Sequence, residues 1–311
     1  HSCAMSGRNL ELARLDGYYD GRPQGHKGLF TAFYGVPGMR NIAWGFVCLS
    51  MLSVLGCAES ESVEIIAHRG ASYLAPENTL AAVQLGWEKQ ADVEVDVYLS
   101  KDNRIVVMHD STTKRTAGGV DLKLSETDSQ ELRKLDVGSY KAPEFAGERI
   151  PYLEEVLGTI PPGRRLFVEI KCKKEILPIL ESMIAASGKK SQIVIICFDL
   201  EVATEAKKLI DVPTYWLKGT DKVKDTDQWI PHDPSLIQTA GDRGLDGLDV
   251  HYAGVTEEFV QAARAAGQKL YVWTVDDPNE AARLVALDVD GITTNRPGWL
   301  REQLKDRKAI P

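Results

Sequence analysis

Cysteine is scarce in this chain, and its spacing is wrong for a metal site. The five cysteines are Cys3, Cys48, Cys57, Cys172 and Cys197, and none forms the Cys-x-x-Cys spacing of a zinc site. Only Cys172 and Cys197 fall in regularly patterned sequence; they read as two buried free thiols, with a disulfide between them as the lesser alternative. Positive charge is in deficit too. The formal net charge is −8 and no basic stripe is visible, so the electrostatic footprint of a nucleic-acid binder is missing. Also missing is an apolar run of the roughly 20 residues that cross a bilayer. Residues 1–38 lack any apolar period, are rich in Gly, Tyr and Arg, and open on His1, so an unstructured upstream extension is expected.

What is present begins at Met39. A short positive segment, Met39-Arg40-Asn41, leads into an apolar run over 42–55 that ends in Gly56-Cys57, the layout of a secretory signal over 39–56. Its end resembles a bacterial lipobox, whose cysteine is lipidated after cleavage. The expectation is an exported chain starting at Cys57, with 57–62 as tether and a folded domain over 63–305. It would be a periplasmic or outer-membrane-attached bacterial lipoprotein, meeting the membrane only through a lipid anchor on Cys57. An ordinary signal with plain secretion, or an uncleaved anchor, is the alternative.

From residue 63 apolar runs alternate with helical patterns. The runs lie at 63–67, 93–99, 166–170, 193–197, 214–217, 247–250, 269–275 and 289–293, with a ninth, 105–108, read as the return strand of a hairpin. Eight apolar strands separated by helices are what an α/β fold of the (β/α)₈ TIM-barrel type requires. Helices are expected at 77–90, 256–266 and 278–287. The long stretch between Asp110 and Leu166 breaks the rhythm. Residues 124–135 and 153–160 suggest short helices there, so a small insertion over about 111–160 is expected above the barrel mouth.

Residues 65–110 concentrate the side chains that carry chemistry. The first run ends in His68-Arg69-Gly70, the second contains Glu94 and Asp96, and the ninth ends in His109-Asp110. Alternate side chains of a strand share a face, so Glu94 and Asp96 project together, and two carboxylates aimed one way need a cation. If residues 100–103 form the hairpin turn, Leu99 pairs with Arg104 and Glu94 falls opposite His109. Glu169 and Lys171 likewise share a face. Two histidines, an arginine and aligned carboxylates at strand ends suit phosphoryl transfer or metal-assisted hydrolysis.

The ordered set His68-Arg69-Gly70, Pro76-Glu77-Asn78-Thr79, Glu94-Val95-Asp96 and His109-Asp110 resembles the signature of the glycerophosphodiester phosphodiesterases. The resemblance continues through Glu169-Ile170-Lys171, Val272-Trp273-Thr274 and Gly291-Ile292-Thr293-Thr294, spanning roughly 63–300. It implies a TIM barrel of the PLC-like phosphodiesterase type that cleaves a small-molecule glycerophosphodiester to sn-glycerol 3-phosphate and an alcohol. Glu94, Asp96 and Glu169 would bind one divalent cation, Ca²⁺ or Mg²⁺, and their all-oxygen donor set suits either. His68 and His109 would be the catalytic acid and base, in an order left open. Arg69, Lys171, Trp273 and Glu77 would contact substrate, although Glu77 read from the residues alone is equally a first-turn acid of a helix. Asn295 stands where many relatives have an acid, and Cys197 where many have a serine; neither is required by this chemistry. Asp249 and His251 are read as structural residues able to shape substrate choice, and His232 as a loop residue. The same barrel also supports lysophospholipase D or sphingomyelinase D type activity, and a surface-binding lipoprotein without turnover is the reading from another class.

Overall fold

A computed structural model of the protein describes residues 63–307, 309 and 310. The expected extension, signal segment, Cys57 anchor and tether lie outside the described residues. Nine strands form one sheet: β1 (Glu64–Ala67), β2 (Asp92–Leu99), β3 (Ile105–Val107), β4 (Leu166–Ile170), β5 (Ile193–Cys197), β6 (Thr214–Lys218), β7 (Gly247–His251), β8 (Lys269–Trp273) and β9 (Gly291–Thr294). Eight are parallel, and β1 pairs with both β2 and β9, which closes the barrel. β3 alone is antiparallel and extends the C-terminal half of β2, beyond the residues that pair with β1.

The described helices are α1 (Leu80–Glu88), α2 (Ser129–Leu132), α3 (Leu153–Thr159), α4 (Leu177–Ser187), α5 (Leu200–Ile210), α6 (Ser235–Asp242), α7 (Glu257–Ala265), α8 (Pro278–Ala286) and α9 (Pro297–Asp306). Their starts are chemically marked. Thr79, Asp199, Thr256 and Asp277 each accept a hydrogen bond from a first-turn N–H, satisfying a donor that the helix leaves unpaired.

The period-two rule divides every strand between two layers. Ile66, Phe167, Val194, Ile196, Tyr215, Leu217 and Tyr271 fill the barrel interior. Their strand neighbours, such as Val93, Val95, Val168 and Ile195, face the helix ring in the main core. Burying one such side chain is worth roughly 1.5–3 kcal/mol relative to exposure, so a slip by one residue would turn a whole strand inside out. At the N-terminal end the interior is closed by polar groups: Arg165 pairs with Glu64 and Asp92, and the Tyr271 hydroxyl donates to Glu64. The C-terminal end is left for the site, as in barrels of this kind.

Three sequence expectations are corrected. The hairpin register is Leu99 opposite Ile105, not Arg104, because the turn holds one more residue, with Ser100 N–H donating to the Arg104 carbonyl. Glu94 is therefore not opposite His109 in a ladder. Pairing ends at Met108, and the chain turns inward so that His109 reaches the mouth by a bend. Next, α1 starts at Leu80 and not at residue 77, since Asn78 takes a left-handed conformation (φ 58°) and Thr79 is the cap. Last, α3 packs between α1 and α4 in the helix ring, with Trp87 Nε1 donating to Thr159, so it is the barrel's second helix and the insertion ends before it.

The insertion has its own small core of Val106, Met108, Ala117, Leu124, Leu132, Val137 and Ile150. It meets the β1–α1 corner where Tyr140 OH accepts from the Glu77 N–H and Lys141 donates to the Ser72 carbonyl. That corner is tight: Arg69 and Gly70 both have positive φ (55° and 77°), and a Cβ on Gly70 would lie 2.4 Å from the Ala82 carbonyl carbon. Only glycine fits there. Cys172 and Cys197 are free thiols. Among the described residues no helix is long and apolar enough to cross a membrane.

Candidate active site

β2 and β4 run side by side with Asp96 opposite Glu169 and Glu94 opposite Phe167. Glu94, Asp96 and Glu169 all point inward and are buried, each offering an oxygen within 4.8 Å of the others. Three acids so close in a poorly hydrated space cannot all be ionised without compensation. Asp96 has most of it: Arg69 Nε lies 3.4 Å away, Lys171 Nζ 3.5 Å, and Asn78 Nδ2 donates at 2.8 Å. Burial works against its ionisation, yet Arg69 and Lys171 outweigh burial and hold its carboxyl below the usual range. Glu169 is bonded to Lys171 at 2.7 Å, but burial and the charge of Asp96 still push it up to about 8. Glu94 has only the Arg69 N–H, at 2.7 Å, and burial with its two acidic neighbours raises it well above the ordinary carboxylate value.

Glu94 Oε1 and Asp96 Oδ1 are buried without a hydrogen-bond partner. Unfilled carboxylate lone pairs converging in a space with too little positive charge fit a hard divalent cation. Glu94, Asp96 and Glu169 are the residues that would hold it.

Two imidazoles flank the cluster, with different partners. His68 Nδ1 lies 2.7 Å from Asn295 Oδ1. The Asn295 amide is oriented by donating from Nδ2 to Asp276 at 2.6 Å, while its Oδ1 also accepts from Ser72 Oγ. An oxygen facing the ring can only accept, so His68 carries its proton on Nδ1 and leaves Nε2 bare. Burial, then the Arg69 guanidinium, lowers the His68 pKa to about 4. His109 Nδ1 instead meets the carboxylate of Asp110 at 2.7 Å, and Asp110 is in turn bonded by Arg115 Nε. Burial opposes ionisation of Asp110, but the Arg115 and His109 hydrogen bonds overcome it and hold its pKa at about 2.

His68, Arg69, Glu94, His109, Glu169, Lys171 and Trp273 line one cavity of about 150 Å³, together with Ile196, Phe198, Leu217 and Asp249. Trp273 is pinned by its Nε1 donating to the Asp249 carbonyl, and its ring meets Phe198 edge-on at 5.6 Å. Asp96 lies just beneath as part of the carboxylate cluster. Glu77 does not line the cavity either. Its oxygens are taken by Arg69 (2.9 Å) and Arg115 (2.6 and 2.8 Å), so it steers Arg69, and it precedes the α1 cap instead of standing in the helix's first turn.

Buried carboxylates between two imidazoles at the C-terminal mouth of a parallel barrel define a hydrolase of the phosphodiesterase class. The chain belongs to the glycerophosphoryl diester phosphodiesterase family, whose model matches residues 68–299. It is similar to a glycerophosphodiester phosphodiesterase of Caldanaerobacter subterraneus subsp. tengcongensis, 32% identical and covering 76% of this chain and 95% of the relative. One from Bacillus subtilis is 28% identical over 75% of this chain and 83% of its own. Among solved structures, an Oleispira antarctica phosphodiesterase in complex with the product sn-glycerol-3-phosphate is 27% identical, with a TM-score of 0.63 over 78% of this chain and 97% of its own.

Sequence reasoning missed Asn295, Asp276, Asn78, Arg115 and the Asp110 contact to His109. Asn295 was set aside as unneeded, yet it fixes the tautomer of His68. Asn78 makes two hydrogen bonds to Asp96, and its place beside Glu77 in the recognised motif was the signal the sequence offered. The partner of His68 yields a prediction. In an NMR pH titration the His68 ring of the wild type titrates well below its ordinary value of about 6.5, and Asn295→Asp, which sets an anion against Nδ1, moves the midpoint up by about one pH unit or more. A wild-type midpoint near 6.5, or none of that upward movement in the variant, contradicts the assignment.

Proposed function

We propose that this protein hydrolyses glycerophosphodiesters to sn-glycerol 3-phosphate and an alcohol, in glycerophospholipid degradation, using one divalent cation, Ca²⁺ or Mg²⁺, held by Glu94, Asp96 and Glu169. The observation that carries this reading is the carboxylate cluster and the two differently partnered imidazoles on one small cavity. A bound cation supplies positive charge against the phosphodiester and the charge that builds in its transition state.

The chain's own groups do the rest. Arg69 and Lys171, both at the cavity wall, hold the phosphate oxygens. His68, neutral and bare at Nε2, accepts the proton of the attacking hydroxyl, which belongs to water or to the glycerol moiety itself. His109, oriented through its Nδ1 by Asp110, delivers a proton to the leaving alkoxide. Trp273 walls the glycerol side.

A second reading, lysophospholipase D or sphingomyelinase D type action, is favoured by the exposed Phe198 at the cavity and by Tyr73 and Leu74 in the β1–α1 corner, 47%, 54% and 50% exposed. Apolar groups at a mouth can receive an acyl chain. We also propose export, with lipidation of Cys57 anchoring the domain outside the cytoplasm, on the strength of the 39–57 sequence pattern.

Assay of glycerophosphocholine beside lysophosphatidylcholine, with divalent cation present, separates the two readings: preferential release of sn-glycerol 3-phosphate from the first is expected, and turnover of the second alone overturns the main reading. His68→Ala and His109→Ala should each lower kcat about 10²- to 10⁴-fold with circular dichroism unchanged; near-wild-type rates in both remove the acid–base roles. Metabolic labelling with a radioactive fatty acid is expected to mark the wild type and not Cys57→Ser. Equal labelling of both, or of neither, refutes the anchor.

A further inference from the structure

Asp249 is not accounted for by any of the roles above. It sits in the middle of β7 on the inward face, between Leu217 of β6 and Tyr271 of β8, and is 1% exposed. It lines the same cavity as His68, Arg69 and Lys171. Every other buried acid of the barrel strands has a partner within the chain: Glu94 has the Arg69 N–H, Asp96 has Asn78 and Arg69, Glu169 has Lys171, and Asp92 has Arg165. Asp249 has none among the described residues, and its Oδ1 is fully buried without a hydrogen bond. Nor does it belong to the carboxylate cluster suited to a metal.

A buried polar atom left unpartnered costs about 1–3 kcal/mol. Asp249 lines the cavity, so a ligand group that enters it and approaches this carboxyl group can remove the cost. The surroundings select the kind of group. Ile196, Leu217 and Trp273 line the cavity with Asp249 and are largely apolar, and the cations Arg69 and Lys171 line it too. A phosphate is drawn to those cations and finds no cation paired with Asp249. An ammonium group is disfavoured as well, because Arg69 and Lys171 already bring two cations to this cavity. An uncharged hydroxyl meets neither obstacle, and a carboxyl group in either protonation state accepts its hydrogen bond.

We propose that Asp249 is a specificity-determining residue: its carboxyl group hydrogen-bonds a free hydroxyl of the glycerol moiety while Arg69 and Lys171 hold the phosphate. This rests on the reading of the cavity as a glycerophosphodiester site, and it adds the group that tells glycerol phosphate from a plain alkyl phosphate. A site built around a hydroxyl discriminates strongly against the analogue that lacks it, because the buried acceptor is then left unpaired.

The test is calorimetric titration of the full chain, with divalent cation present, using sn-glycerol 3-phosphate and n-propyl phosphate, which has the same carbon skeleton without hydroxyls. The wild type is expected to bind the first at least about tenfold more tightly. Asp249→Leu should abolish that preference by weakening sn-glycerol 3-phosphate alone, leaving propyl phosphate affinity unchanged as proof of an intact fold. Asp249→Asn, which keeps an accepting oxygen, should retain most of the preference. Equal wild-type affinity for both ligands, or an Asp249→Leu variant that weakens both alike or neither, overturns the proposal while the wild type still cleaves glycerophosphocholine. A wild type that binds neither ligand and cleaves no glycerophosphodiester overturns the proposal together with the functional reading beneath it.

Discussion

Three carboxyl groups buried together on two adjacent strands are the constraint to which the rest of the molecule answers. Strand periodicity puts Glu94 and Asp96 on one face, and the β2–β4 register brings Glu169 beside them. Removing three like charges from water in the same spot is costly unless positive charge arrives. The chain supplies part of it through Arg69 and Lys171, and the surrounding backbone is bent to deliver it. The left-handed pair Arg69-Gly70 turns the Arg69 N–H onto Glu94 and its guanidinium toward Asp96. Asn78, also left-handed, presents its amide to Asp96. What remains uncompensated shows as Glu94 and Glu169 held above the carboxylate range, beside oxygens placed closely enough to hold a cation.

From the cluster a chain of charged contacts runs outward through Arg69, Glu77, Arg115 and Asp110 to His109. The small insertion takes part through Arg115, which joins the first strand's corner to the second imidazole through Glu77 and Asp110. His68, across the cavity, is tied to another element, the end of β9, through Asn295 and Asp276. The two histidines thus differ by partner and not by residue type. A neutral amide holds one with its Nε2 bare, and an anchored carboxylate holds the other through its Nδ1.

The barrel itself was plain in the sequence, because parallel strands buried on both faces leave apolar runs that stand out between amphipathic helices. Parity alone put Glu94 with Asp96, and Glu169 with Lys171, on shared faces. Three things were not legible. The hairpin turn is one residue longer than assumed, and no local signal distinguishes Leu99 opposite Arg104 from Leu99 opposite Ile105; His109 reaches the cavity by a bend that strand pairing does not encode. The start of α1 was masked because Glu77 and Asn78 look like helix-start residues, whereas one is bound by two arginines and the other is left-handed. The contact of Asn295 with His68 joins residues 227 positions apart, a distance over which only the closed barrel brings them together.

The account stands or falls on whether the three acids take up a divalent ion at the expense of protons. Calorimetric titration of the protein with Ca²⁺ or Mg²⁺ near pH 7, in buffers of different ionisation enthalpy, reads both at once. Saturable one-site binding with net proton release is expected from the wild type, because raised carboxyls must ionise to become ligands, and Asp96→Asn should abolish or greatly weaken it. Absence of binding in the wild type, or binding left intact by Asp96→Asn, would contradict the central claim.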